Sequence, residues 1–373
     1  MSVQPPLTPT NNLLPSIQLL RAIAVSSVVL LHGWVIAGYE RNPNTIMHLF
    51  EHGGVGVDIF FIVSGFVMSF IRGSYEAGTP GGTIRFLQKR GERIIPPYWI
   101  YTTLIFVTIT VAPQLNQGPP SDILRSYLLI PSERDFILMV GWTLSYEIYF
   151  YILFAATLRL APDEKRQFIL LAGYTGCAVA AGVLLRPENP IAIVLTSSLL
   201  LEFIAGMAVG IWFKNRWRRA PEQGLALVVL ALGLFWAMHY GALKPEMPFS
   251  FNGTLMDEKL PRLLHYGVPS LLLAIGILKV DPRPSLAMNA VVLIGNASYS
   301  LYLSHWLVIK TVAVAWRRLP VDMNLAFVAV CFVASTLYAI LTYRLVEREA
   351  IAWVKRLPGL RWDRLVLKLI RGS

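Results

Sequence analysis

Apolar stretches of near-spanning length recur along this chain at about 13–38, 54–71, 98–113, 140–160, 168–185, 191–213, 224–240, 262–280, 288–313 and 324–343. Hydrocarbon offers backbone N–H and C=O groups no partner, so a run that crosses it must satisfy them internally, as a helix does. Several of the ten fall short of the roughly 20 residues that an isolated span needs. No polar block between them is large enough to fold as a soluble domain, which predicts one all-α polytopic membrane domain over residues 1–343 and a basic tail over 344–373. Of the 373 residues, 55% are hydrophobic and 15% charged, a composition that excludes an ordinary soluble globular protein.

Orientation follows from the basic residues. If the N-terminus is cytoplasmic, the inner segments 72–97, 159–167, 214–223, 279–285 and 344–373 hold 22 Lys or Arg, against 9 in the outer connections. The positive-inside rule therefore predicts both termini on the cytoplasmic side, with Arg317 and Arg318 as the exception. The net charge of +11 then reflects loops facing anionic lipid, and nucleic acid is not required as a partner. In the tail, Leu360, Trp362, Leu365, Val366, Leu369 and Ile370 share one helical face and Arg361, Arg364, Lys368 and Arg371 lie largely on the other, the pattern of an interfacial amphipathic helix. Cys177 and Cys331 fall in apolar segments and read as small apolar groups, not as a disulfide. The first twelve residues carry no basic group, so a removable leader is not expected.

Arg21 and His32 lie in the first apolar stretch. Eleven residues at about 100° each put both on one helix face, about 16 Å apart along the axis. Ionisable groups at such depths mark a functional site unless Arg21 snorkels to the interface and His32 bonds a neighbouring helix. In the predicted orientation Asp58, Glu147 and His305 occupy the outer parts of three other helices, so four titratable groups are expected to converge, with Asp58 or Glu147 partnering the His32 imidazole. At the opposite side the segment RFLQKRGERIIPPYW supplies Arg85, Lys89, Arg90 and Arg93. Arg90 and Arg93 share a face if that segment is helical, and suit a polyanion such as a nucleotide phosphate; the alternative is a positive-inside cluster beside lipid headgroups. The H-x-x-E-H pattern of His48, Glu51 and His52 has no evident third ligand and reads as a polar loop rather than zinc. Gly53, Gly54 and Gly56 read as close backbone packing at the entrance to the second helix. With no G-x-S-x-G elbow, Ser64 and Ser145 read as hydrogen-bonding residues before nucleophiles.

The blocks LLRAIAVSSVVLLH, GGVGVDIFFIVSGF, FLQKRGERIIPPYW, GWTLSYEIYFY and GNASYSLYLSHW stand in an order and spacing that resembles the membrane-bound acyltransferase-3 family, most closely the bacterial exopolysaccharide O-acetyltransferases. The resemblance runs from about residue 17 to about 349. It implies a ten-helix inner-membrane enzyme that takes acetyl from cytoplasmic acetyl-CoA, with no metal, and delivers it to a hydroxyl of a glycan or lipid-linked oligosaccharide outside. On that resemblance Arg21 and His32 match the Arg-x10-His signature and Arg90 and Arg93 the paired-arginine motif, while Asp58, Ser145, Glu147 and His305 fall in the other blocks. The family's Glu-Arg-Pro is Glu347, Arg348 and Glu349 here, which leaves Glu347 without an assigned role. Some relatives carry a further SGNH-type domain; its absence from this sequence favours direct transfer.

Two mechanisms follow. Arg90 and Arg93 hold the CoA phosphates, Arg21 binds part of the donor or pairs with a carboxylate, and His32 acts either as general base on the acceptor hydroxyl or as an acyl carrier. A different class of function stays open: a transporter or flippase in which His32, Asp58 and Glu147 relay protons. No inverted repeat supports it, and opposed arginine and histidine clusters suit a two-substrate enzyme better.

Overall fold

The computed structural model describes residues 15–38, 49–112, 121–216, 218–240, 262–282, 285–322 and 324–356, and among these it is helical without strands. The main helices are α1 (Pro15–Ile36), α2 (Val55–Ile71), α3 (Pro80–Val111), α4 (Gly141–Leu160), α5 (Glu164–Leu185), α6 (Leu200–Arg216), α7 (Pro221–Tyr240), α8 (Val268–Val280), α9 (Leu286–Asn296), α10 (Ser298–Trp316), α11 (Leu325–Thr342) and α12 (Arg348–Arg356). Side-chain caps start several of them. Asp163 accepts from Arg166 N at 2.8 Å before α5, Ser285 from Met288 N at 3.1 Å before α9, and Asn324 from Ala326 N at 2.9 Å before α11. Each satisfies an amide that the first helical turn leaves without a partner.

Where they are described, the ten apolar segments fall largely on helices, but not all as simple spans, and 191–213 is interrupted between Leu195 and Leu200. Among the described residues seven helices are long and apolar enough to cross a membrane, and eight if the bent pair α9 and α10 counts as one. The residues 221–237 of α7 are apolar over a shorter length, and α4, with Glu147 and Arg159 in its 20 residues, is not among the seven. The expected span 288–313 is broken by a 72° bend between α9 and α10. Gly295 explains it: a Cβ there would overlap the Gln18 carbonyl, so the end of α9 lies directly on the backbone of α1 and the chain must turn to continue. The segment 72–97, expected as a loop, is helical from Pro80. Thr79 caps it by accepting from Gly82 N at 3.0 Å, proline at N1 is preset for a helix, and α3 then runs unbroken through Pro96 and Pro97.

Small residues let the helices approach. A Cβ on Gly65 would overlap the Phe203 carbonyl and one on Gly206 the Ile62 carbonyl, so α2 and α6 touch backbone to backbone. Gly53 and Gly56 meet the Ser27 and Ala24 carbonyls of α1 in the same way, whereas Gly54 meets only the Leu31 side chain. Around these contacts α1, α2, α6 and α8 enclose one apolar core, including Ile17, Ile59, Phe66 and Leu273. A larger one, including Phe61, Phe150, Phe203 and Leu301, extends across α1, α2, α4, α6 and α10. The amphipathic part of the tail, His48 and the whole outer connection 241–261 lie outside the described residues.

Candidate active site

Helices α1 and α10 run side by side in the same direction, and each presents polar residues at two levels. At one level His32 Nδ1 lies 2.8 Å from His305 Nε2, the two rings nearly parallel, 14° apart, and meeting edge to edge with centroids 5.0 Å apart. Trp306 closes the group edge-on to His32 at 5.2 Å. His305 Nδ1 lies 3.0 Å from the Leu301 carbonyl, one turn back on α10. His305 is fully buried; His32 keeps 8% of its surface accessible.

At the other level Arg21 from α1, Arg90 and Arg93 from α3, Glu147 and Tyr151 from α4, Ser64 from α2, and Ser298, Tyr299 and Tyr302 from α10 line a cavity of about 110 Å³. Arg90 and Arg93 share a face of α3 because they are three residues apart on a continuous helix. The Arg90 guanidinium stacks over Phe86 and Tyr151 at 5.9 and 5.8 Å, and its Nε is buried without an acceptor. Arg93 is exposed, which puts the cavity's opening on its side. Glu147 accepts from Ser64 Oγ at 3.2 Å and from the Tyr151 hydroxyl. Ser298 Oγ, buried at the first position of α10, has no partner. Between the two levels stands Tyr302, which lines the cavity, lies 2.8 Å from the Thr143 hydroxyl and places its ring 5.9 Å from that of His305.

Several expectations need correction. The four titratable groups do not converge. Asp58 is fully buried and paired to Arg262 at 2.9 Å, and neither Asp58 nor Glu147 partners the His32 ring, whose neighbour is His305. The reason is rotational: a helix with carbon-rich surroundings on every side can turn a carboxylate toward whichever cation is nearest, and for Asp58 that cation is Arg262. Glu147 belongs with the arginines, in the cavity rather than beside the imidazole. Arg21 lines the same cavity without an ion pair to a carboxylate among the described residues. Ser145 donates to the Leu129 carbonyl at 2.8 Å, steadying a residue with a φ of 55°. His52 lies 2.9 Å from the Tyr266 hydroxyl.

The sequence reading left Glu347 unassigned, took Ser64 as a hydrogen-bonding residue without naming Glu147 as its partner, and gave no site role to Tyr151, Ser298 or Arg262. Glu347 accepts from Ser300 N at 3.1 Å and from Ser300 Oγ at 2.6 Å. A carboxylate supplied by the π-helical turn Tyr343–Glu347, between α11 and α12, thus caps the interior N-terminus that the bend creates. Tyr151 could have been found from sequence, since it sits four residues after Glu147 on one helix face.

Two polar levels, one cationic and one imidazole, are thus buried between the same helices of a multi-pass membrane protein. The sequence model of the Acyltransferase domain family, acyltransferase-3, matches residues 14–344, and the chain belongs to that family. It is a membrane O-acyltransferase. The chain is 29% identical over 313 residues to the "Exopolysaccharide production protein ExoZ" of Rhizobium meliloti (strain 1021), covering 82% of this chain and 91% of the relative. It is 24% identical over 365 residues to the "Putative membrane-bound transacylase BcsY" of Komagataeibacter xylinus, covering 91% and 83%. It is 23% identical over 327 residues to the "Acyltransferase MdmB" of Streptomyces mycarofaciens, covering 80% and 79%. No solved structure matches the chain.

Proposed function

We propose that this protein is a ten-span O-acetyltransferase of a bacterial inner membrane, with cytoplasmic termini, that carries acetyl from cytoplasmic acetyl-CoA to a hydroxyl of an exported glycan or its lipid-linked precursor. The single observation that carries the reading is the cavity in which Arg21, Arg90 and Arg93 meet with two donors, Arg90 Nε and Ser298 Oγ, buried and without acceptors. Orphan donors beside three guanidiniums suit an anionic, oxygen-rich ligand. At about 110 Å³ the cavity is smaller than the roughly 300 Å³ at the low end of ordinary ligand pockets. A nucleotide therefore stays at the open, Arg93 side, and the narrow pantetheine arm enters past Arg90 and Arg21 toward Tyr302 and the histidine level. There His32 acts on the acceptor hydroxyl. Glu147, held by Ser64 and Tyr151, balances charge among the arginines when the donor is away. The name of the Rhizobium relative supports an exopolysaccharide acceptor, and the basic inner segments suit anionic lipid.

The test compares acetyl-CoA binding with acetyl transfer in nanodiscs. The Arg90→Gln/Arg93→Gln double variant should bind acetyl-CoA at least tenfold more weakly and lose most of the salt dependence of binding, because salt screens charge contacts. His32→Ala should bind the donor as the parent does and transfer nothing. Parental affinity in the double-arginine variant would remove the donor site from this cavity.

A further inference from the structure

We infer that His305 is a positioning residue that fixes His32 in the tautomer with its proton on Nδ1, leaving Nε2 as the basic atom. The inference deepens the proposed function and rests on its assignment of His32 to the acceptor hydroxyl.

The hydrogen-bond chain starts at a carbonyl. The Leu301 oxygen can only accept, so the 3.0 Å contact with His305 Nδ1 requires a proton on that nitrogen. A neutral imidazole has one N–H, so His305 Nε2 presents its lone pair. That lone pair faces His32 Nδ1 at 2.8 Å, and the pairing is satisfied only if His32 Nδ1 carries the hydrogen. The remaining nitrogen, His32 Nε2, is then unprotonated, and it makes no hydrogen bond to any described residue. A backbone carbonyl of α10 thereby dictates, through two rings, which atom of α1 is the base. Burial agrees with this division of labour: His305 is sealed at 0% exposure, while His32, the ring that must meet a substrate, is not. The contact with His305 and the edge of Trp306 hold the imidazole plane against rotation.

The transfer then balances. The acceptor hydroxyl gives its proton to His32 Nε2 as its oxygen bonds to the acyl carbon; the carbon–sulfur bond breaks, and the departing CoA sulfur takes the proton from Nε2. During the interval when His32 is an imidazolium, its Nδ1–H still donates to His305 Nε2, so the hydrogen bond that orients the ring also stabilises its charged form. This is the part that sequence reasoning assigns to a carboxylate. A neutral histidine fills it without placing a buried negative charge beside the base.

Solid-state NMR of 15N-histidine-labelled protein in nanodiscs, with the His32 signals assigned by their loss in His32→Ala, tests the tautomer directly. The parent should show His32 protonated at Nδ1 and bare at Nε2; the opposite pattern overturns the inference even if no His305 variant folds. His305→Leu removes the acceptor and should release His32 into a mixture containing the Nε2–H form, lowering kcat roughly 10- to 100-fold while KM for acetyl-CoA stays put. His305→Gln, whose amide oxygen can accept from Nδ1, should restore the Nδ1–H pattern and most of the turnover. A Leu variant that keeps the parental tautomer, or one that loses it and turns over normally, refutes the positioning role. If instead His32→Ala itself still transfers acetyl while the tautomer pattern stands, the failure belongs to the function assigned to His32 and not to the hydrogen-bond chain.

Discussion

The Arg262→Ala substitution should strand a bare carboxylate in the interior of the helix bundle. Arg262 Nη2 and Asp58 Oδ2 are 2.9 Å apart, with side-chain exposures of 4% and 0%, so solvent screens the pair little. At that separation and an effective dielectric of about 20, the gross attraction is roughly 6 kcal/mol. Much of it offsets desolvation while both partners are present. When one is removed the desolvation cost stays, and losses of about 3–5 kcal/mol are usual. Asp58 is poorly placed to recover, because its Oδ1 already has no partner and Arg262 supplies the hydrogen bond it does make. A loss of that size corresponds to roughly two to three and a half powers of ten in the folding equilibrium. The assay is the thermal midpoint and monodisperse yield in one detergent, for Arg262→Ala, Asp58→Asn and the double variant Asp58→Asn/Arg262→Gln. Both single changes should cost stability, the arginine truncation most, and the double variant should return to within about 1–2 kcal/mol of the parent. Because Asp58 lies away from His32, the folded double variant should also transfer acyl groups. An Arg262→Ala protein as stable as the parent would refute the reasoning, and a stable but inactive double variant would return Asp58 to the chemistry.

Gly206→Ala should lower the thermal midpoint by the equivalent of about 1–3 kcal/mol, since its methyl would overlap the Ile62 carbonyl, whereas Gly233→Ala, with open space around its Cβ, should be neutral or mildly stabilising. Ser145→Ala loses the bond to the Leu129 carbonyl and should cost about 1 kcal/mol of stability, with donor KM unchanged; a collapse of kcat without loss of stability would make Ser145 catalytic after all. In a background lacking Cys177 and Cys331, cysteines replacing Arg216 or Arg361 should resist a membrane-impermeant thiol reagent in intact cells and one replacing Ser250 should react; a labelled tail would invert the orientation.

What sequence reveals and conceals here follows the physics of the bilayer. The apolar segments are legible because a span must be long and carbon-rich, and Arg90 and Arg93 are legible as a pair because three residues on a helix fix their common face. Rotation about each helix axis is not legible. In a soluble protein an apolar stripe points to the core, but hydrocarbon and core are equally apolar, so the sequence carries little record of which way Asp58 or Glu147 faces. The Asp58 partner, 204 residues further along, and the bend after Gly295, which depends on the Gln18 backbone, are tertiary facts with no local pattern. The His32 and His305 pairing belongs to the same class, joined across 273 residues.

Where Gly65 and Gly206 press their Cα atoms against the opposing chain, α2 and α6 have no side-chain cushion through which to slide or tilt. Gly210, against Ser69 and the Phe66 carbonyl, adds a third rivet one turn on. Two bars joined at three points behave as one plate. Ser64 stands on that plate, so its grip on Glu147 gives the arginine cavity a fixed wall. The same cavity is also walled by α3, which carries two prolines just after its arginines, and by α10, which begins at the bend, so its frame is unequal: helices bolted together on one side, a proline-bearing helix and a corner elsewhere.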